Sequence, residues 1–205
     1  MIKLIIFDML GVIFPNMKGG SYFNINELYL KIKNPKISFD DFYSGYQKLI
    51  IGDINIFQFW DNVSDSDIKI AETEHLNNYE IYPNIQDILQ KLKERYNIIS
   101  ITNHPTSWIQ YVINKNNLNN YFDKIYISED VKMKKPQEEL YNLALQEFSV
   151  KPTEAVIIDD QIKNLICPSK MGMKTILFGS NSAEEFIPTN SIISFENLID
   201  IINSL

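Results

Sequence analysis

This chain of 205 residues has little cysteine and lacks long apolar runs. Cys167 is the only cysteine and cannot form an internal disulfide or a multi-thiolate metal site, so we expect a reducing, cytoplasmic location. No apolar run reaches the roughly 18 to 20 residues that a membrane-spanning helix needs. A carboxylate at Asp8 comes too early for a signal peptide. These absences argue against a membrane partner.

Positive charge is also scarce, with a formal net charge of -7. Binding to a nucleic acid backbone depends on clustered lysine and arginine, so we expect no nucleic acid partner. Arg95 is the only arginine. Any clamp on an anionic substrate must therefore use lysine, backbone N–H groups or helix N-termini.

Four short apolar runs, each followed by polar or turn-forming residues, predict buried strands. They are Lys3–Phe7, Ile98–Ile101, Ala155–Ile158 and Thr175–Phe178. Helical periodicity lies between and after them, in the sets Ile85, Ile88, Leu89, Leu92 and Tyr96; Leu140, Leu143, Ala144 and Phe148; and Leu198, Ile201, Ile202 and Leu205. This alternation predicts an α/β protein whose parallel sheet is covered by helices on both faces.

Residues 15–83 interrupt the alternation. They contain helix-like windows at Phe39–Ile51, Asn55–Val63 and Asp65–Asn77, without a convincing buried strand. We interpret residues 15–83 as a helical cap inserted into a core made of residues 1–14 and 84–205. An insertion after the first strand would lie above the carboxyl ends of the strands, where open α/β sheets bind ligands.

Polar residues at four predicted loops form the most specific pattern of the sequence. They are Asp8 in Phe-Asp-Met-Leu-Gly-Val, Thr102-Asn103, Lys135-Pro136, and Asp159-Asp160 followed by Asn164. In this order and context the four motifs resemble those of the haloacid dehalogenase-like hydrolase superfamily. The resemblance extends over almost the whole chain and implies a Rossmann-like, doubly wound parallel sheet with an inserted helical cap domain.

The resemblance implies a Mg²⁺-dependent phosphatase that acts on a small-molecule phosphate ester. Asp8 would attack phosphorus and form an aspartyl phosphate, which divides one difficult substitution into two easier ones. Asp8, Asp160 and the backbone carbonyl of Leu10 would hold Mg²⁺, an ion that prefers oxygen ligands. In the family the first acid of a pair such as Asp159-Asp160 supports the second, and the position of Asn164 orients both.

Charge stabilisation would come from three further residues of these motifs. Lys135 would neutralise developing negative charge, and Thr102 and Asn103 would offer a hydroxyl and an amide N–H to phosphate oxygens. We therefore expect Asp8, Lys135 and Thr102 to be catalytic, and Thr102, Asn103 and Lys135 to bind substrate.

The sequence departs from the family pattern at Leu10. Phosphatases of the family usually carry an aspartate there, which protonates the leaving group and then activates water. A positioned acid or base contributes about 10²- to 10⁴-fold to the rate. His104, beside Asn103, is a possible replacement because imidazole titrates near neutral pH.

Three other hypotheses for the function are compatible with the sequence. One is a dehalogenase-type variant, although the resembled dehalogenases lack the acidic pair that Asp159-Asp160 supplies here. Another is a phosphonatase-type variant with a Schiff-base lysine, for which Lys18 and Lys48 are candidates. The last is a non-catalytic or very slow phosphate-binding protein. We expect His75, in an acidic helical stretch, to be a surface residue.

Overall fold

The computed structural model describes residues 1–15, 21–64, 68–179 and 186–205, with side chains of the first helix described from residue 25 onward. Within these residues the strands form one six-stranded sheet in the order β3-β2-β1-β4-β5-β6, and every neighbouring pair is parallel. The strands are β1 (Leu4–Phe7), β2 (Asn97–Thr102), β3 (Lys124–Ile127), β4 (Ala155–Asp159), β5 (Lys174–Phe178) and β6 (Asn190–Ile192).

Helices occupy the connections between the strands. Between β1 and β2 lie α1 (Ser21–Lys31), α2 (Phe39–Leu49), α3 (Ile56–Asp61), α4 (Ile68–Asn77) and α5 (Ile85–Lys93). The remaining helices are α6 (Thr106–Lys115), α7 (Ser128–Val131), α8 (Glu138–Glu147), α9 (Ile162–Met171) and α10 (Leu198–Ser204), with a 3₁₀ turn at Pro152–Glu154.

Both faces of the sheet are buried, as the alternation of side chains in β1 shows. Leu4 and Ile6 pack with side chains of α8 and α9 on one face. Ile5 and Phe7 belong to the cluster that includes α5, α6 and α10 on the other face. Side chains of a strand alternate between faces, so a strand covered on both sides is apolar throughout. The prediction of a Rossmann-like, doubly wound parallel sheet is confirmed.

The sequence patterns located four of the six described strands and missed β3 and β6. β3 carries an exposed lysine, Lys124, and a half-buried Ile125, so only its second half is fully buried. β6 has three residues and lies at the edge of the sheet. Strands at or near an edge are exposed to solvent on one side and lack the continuous apolar run used to find the others.

The segment between β1 and α5 is helical in its described part. The predicted windows correspond to α2, α3 and α4, whereas α1 was not predicted; residues 65–67 of the third window lie outside the described residues. Caps explain two of the starts: Ser38 accepts a hydrogen bond from Asp41 N, and Asn55 forms a capping box with Gln58. The division into a core and a cap at residues 15 and 83 stays a prediction.

The strand order reverses between β1 and β4: β2 and β3 follow on one side of β1, whereas β5 and β6 follow on the far side of β4. In open α/β sheets such a reversal leaves a crevice at the carboxyl ends of the two strands, and ligands bind there. Asp8 directly follows β1, and Asp159 and Asp160 end and follow β4. No helix among the described residues is long and apolar enough to cross a membrane.

Candidate active site

Three carboxylates converge at the crevice between β1 and β4. Asp8, Asp159 and Asp160 each place one carboxylate oxygen within 4.8 Å of the others. All three side chains are buried. Pairing of Phe7 with Ile158 brings the two strand ends level, which is why residues about 150 positions apart in the chain meet here. Buried like charges at this spacing repel one another unless a cation compensates them.

Lys135 supplies one cation to this cluster. Its ammonium Nζ lies 2.8 Å from Asp8 Oδ1 and 2.7 Å from Asp159 Oδ2, and the lysine is itself buried. Three carboxylates and one ammonium leave a net charge of about -2 if all are ionised. The cluster therefore has the donor set and the charge of a divalent-cation site.

Asn103 holds the backbone of Lys135 in place. Its side-chain Oδ1 accepts a hydrogen bond from Lys135 N at 2.9 Å, and its Nδ2 donates to Lys135 O at 3.1 Å. These two bonds position the backbone of Lys135 and use one of the two N–H groups of the amide. The predicted contact of Asn103 with a phosphate oxygen stays a prediction.

The two acids of the Asp159-Asp160 pair have different surroundings. Asp159 accepts hydrogen bonds from Gln161 N at 2.8 Å and from Asn164 Nδ2 at 3.0 and 3.1 Å, besides its contact with Lys135. Tyr141 in turn donates its hydroxyl to Asn164 O at 2.9 Å. Both oxygens of Asp159 therefore accept hydrogen bonds. The supporting roles of Asp159 and Asn164 stay predictions.

Burial dominates the electrostatics of Asp8. It raises the pKa of this carboxyl well above its usual range; the ion pair with Lys135 lowers the pKa, and the nearby Asp159 and Asp160 raise it further. For Lys135, burial lowers the pKa, but Asp159 and Asp8 outweigh it, so the net pKa is raised. Lys135 is therefore a permanent cation at neutral pH.

Gly11 allows the loop after β1 to approach Asp160. Its backbone φ is +95°, a conformation that residues with a Cβ rarely adopt. A Cβ at this position would collide with the carboxylate of Asp160, including Oδ1 at 2.7 Å. The sequence marked Gly11 only as a turn residue; its contact with Asp160 depends on the pairing of β1 with β4.

Thr102, the last residue of β2, carries a buried hydroxyl. No hydrogen-bond partner of its Oγ1 lies within the part of the chain that the structure describes. Such a group costs free energy on burial and calls for a ligand or an ordered water. This position, at the carboxyl end of the strand next to β1, suits the predicted contact with a phosphate oxygen.

His104 lies among apolar side chains and forms a hydrogen bond with a residue of the helices between β1 and β2. Its Nδ1 is 2.8 Å from the hydroxyl of Tyr46 on α2. Burial, together with Lys135 and His75, lowers the pKa of His104 to about 3. At neutral pH the imidazole is uncharged, so it is unsuited to protonate a leaving group. Sequence patterns did not indicate Tyr46 as its partner.

Other residues singled out in the sequence lie elsewhere. His75 is buried, so the expectation of a surface position was wrong: its helix packs against α6, and its ring contacts those of Tyr79 and Trp108. Lys48 is exposed on α2 and gives no support to a Schiff-base role, and Lys18 lies outside the described residues.

The buried histidines predict a loss of stability in acid. Burial is the main cause that lowers the pKa of His75 to about 4, and the pKa of His104 is about 3. Unfolded histidine titrates near 6.5, so below that pH these two side chains bind more protons in the unfolded chain than in the folded one. We expect the two histidines to lower the free energy of unfolding by up to about 2.7 kcal/mol per pH unit between about pH 6 and pH 4.5, from two protons at about 1.36 kcal/mol each. Asp8, whose pKa is raised in the folded protein, contributes in the opposite direction.

Urea denaturation at a series of pH values measures this slope. A His75→Gln variant removes one of the two titrating groups and should reduce the slope by about one proton, or roughly 1.4 kcal/mol per pH unit. Carboxylates titrate in both proteins and cancel in the difference. An unchanged slope would show that His75 does not resist protonation in the folded state.

The chain belongs to the haloacid dehalogenase-like hydrolase family, whose model matches residues 5–178. The superfamily identified from the four motifs is therefore confirmed. The match includes Asp8, Thr102 and the Asp159-Asp160 pair at strand ends, and Lys135 in the loop between α7 and α8.

Curated relatives and a solved structure are consistent with this family. The chain is 27% identical to ribulose-1,5-bisphosphate 5-phosphatase of Halopiger xanaduensis over 119 residues, which are 57% of its length. It is 24% identical to pyrophosphatase PpaX of Bacillus thuringiensis over 132 residues, which are 62% of its length. It spans 49% and 61% of those two proteins. The fold matches that of a family enzyme of Bacteroides thetaiotaomicron solved with magnesium and inorganic phosphate, with a TM-score of 0.72 and 21% identity, covering 90% of this chain and 98% of the other.

Proposed function

We propose that this protein is a Mg²⁺-dependent phosphatase that hydrolyses small phosphate compounds through an aspartyl phosphate at Asp8. One observation carries the proposal: Asp8, Asp159, Asp160 and Lys135 converge, buried, where the strand order reverses. The relatives named above are phosphatases that act on small phosphate compounds, which supports the same class of substrate.

Asp8 is the nucleophile in this proposal. Its Oδ1 accepts the N–H of Met9 at 2.7 Å and the ammonium of Lys135 at 2.8 Å. These two contacts fix the carboxylate plane, so Oδ2 is the oxygen that attacks phosphorus. A nucleophile fixed in this way reacts without first losing orientational freedom.

The donor set fits a magnesium ion. Asp8 and Asp160 would hold it with the backbone carbonyl of Leu10, since carboxylate and carbonyl oxygens are its preferred ligands. When bound, the ion neutralises phosphate charge and lowers the repulsion between phosphate and carboxylate. The close approach of Asp160 to Gly11 places the second carboxylate against the loop that carries Leu10.

The remaining residues stabilise the charge of the transferring group. Lys135 faces the equatorial phosphate oxygens with its ammonium, which Asp159 and the Asn103 clamp hold in position. Thr102 donates its buried hydroxyl to the same group. Preorganised donors of this kind provide much of the rate enhancement in phosphoryl transfer. In the same proposal, residues 15–83 form the cap that covers the site.

Hydrolysis of an aryl phosphate with and without Mg²⁺ tests the proposal. An aryl phosphate has a good leaving group and needs little acid catalysis, so wild-type protein should turn it over with magnesium in spite of Leu10. Asp8→Asn should abolish that turnover, whereas Asp200→Asn, a matched change on the exposed face of α10, should leave it intact. Equal rates for wild type and Asp8→Asn would exclude Asp8 as the nucleophile.

Leu10 favours a second candidate, a protein that binds phosphate without efficient turnover. Beryllium fluoride mimics a phosphoryl group on an aspartate. If the wild type binds it only with Mg²⁺ and Asp8 intact, yet hydrolyses no phosphate compound, the second candidate is the better account. Metal-independent binding would contradict both.

A further inference from the structure

The side chain of Leu10 faces an apolar cavity. Leu10 itself is 8% exposed and lines a space of about 10 Å³. The walls come from α1, α4 and α6 and from the loops beside them, and include Ile25, Leu76, Tyr79, His104, Trp108 and Val112. The position two residues after Asp8 thus lies against hydrocarbon and aromatic rings on both the core and the helical segment.

The polar groups of this cavity are already engaged with each other. The hydroxyl of Tyr79 is 3.1 Å from His75 Nε2, and His104 Nδ1 is 2.8 Å from the hydroxyl of Tyr46. Burial raises the pKa of Tyr79, so its hydroxyl keeps its proton at neutral pH. Burial lowers the pKa of His104, so its imidazole is already neutral there and has no acidic proton to donate. Outside the cavity, the ammonium of Lys135 is held by Asp8 and Asp159.

The cavity beside Leu10 is poorly suited to hold a water molecule that could substitute for the missing acid. A cavity of about 10 Å³ is at the lower limit for one water molecule. A buried water also needs two to four polar partners, and the polar groups of these walls, Tyr79 and His104, already bond to His75 and Tyr46. A leaving group beside Leu10 therefore receives no proton from the described residues around it.

We infer that the substrates are phosphoryl compounds whose leaving group departs as a stabilised anion, namely acyl phosphates, phosphoanhydrides or aryl phosphates, rather than phosphate esters of ordinary alcohols. This inference rests on the proposed phosphatase function and narrows it. Esters of ordinary alcohols release an alkoxide, which must be protonated as it leaves. Carboxylate, phosphate and phenolate leave without that help.

The two steps balance without a protein acid or base. In the first step a bond forms between Asp8 Oδ2 and phosphorus, and the bond from phosphorus to the leaving oxygen breaks. The leaving oxygen keeps the electron pair. In the second step water attacks phosphorus, and the bond from phosphorus to Asp8 breaks with its electron pair returning to the carboxylate. Both protons of the water leave on the released phosphate, which then loses one to solvent near neutral pH. Because no protein base assists the second step, the aspartyl phosphate accumulates.

A leaving-group series tests the inference. We would measure kcat/KM with Mg²⁺ for aryl phosphates of graded phenol pKa, for acetyl phosphate and for a simple alkyl phosphate. Wild-type rates should fall steeply as the pKa of the leaving group rises. Leu10→Asp should raise alkyl phosphate turnover selectively, reducing the ratio of aryl to alkyl rates by about 10²- to 10⁴-fold. In Leu10→Asn the new side chain has the shape of aspartate but cannot supply a proton, so this variant should keep the wild-type ratio.

A second readout is the aspartyl phosphate itself. Rapid mixing with acetyl phosphate followed by acid quench should give a burst, with phosphate attached to Asp8 in the wild type and less attached in Leu10→Asp. Circular dichroism would verify that both variants fold. If they do not, the wild-type series decides alone.

Two outcomes distinguish failure of the leaving-group inference from failure of the proposed phosphatase function. Alkyl and aryl phosphates hydrolysed at similar rates would overturn the inference, since a proton donor would then be acting, while the phosphatase proposal would stand. Absence of turnover for every phosphate compound, with no burst above Asp8→Asn, would overturn the phosphatase proposal and the inference with it.

Discussion

Replacing Lys135 with methionine is expected to lower the free energy of unfolding by about 3 to 5 kcal/mol in metal-free buffer, the typical cost of breaking a buried ion pair. The side chain lies within 2.8 Å of both Asp8 and Asp159. Its removal leaves three buried carboxylates without the cation that compensates them. Methionine is similar in length, so the loss reports charge rather than volume.

The Lys135→Met substitution should also lower kcat. Loss of one preorganised electrostatic donor typically reduces kcat by about 10²- to 10³-fold, and we expect at least that reduction for Lys135→Met with an aryl phosphate. Urea denaturation with and without Mg²⁺ measures the stability effect, which should shrink when the metal is present, because the metal then compensates the carboxylates.

A Lys151→Met variant is the matched control. Lys151 is exposed at the start of the 3₁₀ turn that precedes β4, so the same substitution there should change stability by no more than about 0.5 kcal/mol. Similar unfolding free energies for the two variants would show that the buried ion pairs of Lys135 contribute little to folding.

Gly11→Ala is expected to weaken Mg²⁺ binding and turnover strongly. The residue has a φ of +95°, and an added Cβ would collide with the carboxylate of Asp160. Alanine in this conformation costs about 1 to 2 kcal/mol. The collision has a separate effect: Asp160 must move away from the loop that carries Asp8 and Leu10, which separates the proposed metal ligands.

Gly172→Ala separates the two causes. Gly172 has a φ of +93° at the end of α9, but the atom nearest to its added Cβ, Thr153 Cγ2, is at an ordinary 3.7 Å. Both variants should lose stability, and only Gly11→Ala should lose affinity for Mg²⁺, measured by calorimetric titration. Unchanged affinity in Gly11→Ala would show that the position of Asp160 does not depend on its contact with the loop.

Sequence patterns predicted the fold class and four of the six described strands because burial on both faces leaves continuous apolar runs. They also located the polar strand ends. In a parallel sheet all carboxyl ends lie at one edge, so residues that follow different strands are expected to meet. The cluster of Asp8, Asp159 and Asp160 follows from that rule, and the structure brings them together.

The partners of individual side chains did not follow from the sequence. Asn103 was expected to contact phosphate, and that contact stays a prediction; the sequence did not indicate that its amide holds the backbone of Lys135, 32 positions away. His75 was expected at the surface, but the packing of α4 against α6 buries it. Local periodicity shows which face of a helix is apolar; it does not show which other element covers a polar residue.

By itself, the sequence determined the chemistry that is available: a carboxylate after the first strand, an acidic pair, a lysine, and a leucine where the family usually has an aspartate. Those are properties of residue type and order. Only the tertiary structure decided that Leu10 faces an apolar cavity and that His104 is held neutral by burial beside Tyr46. The physical reason is that desolvation and ion pairing depend on neighbours brought together by sheet order and helix packing, which no local pattern records.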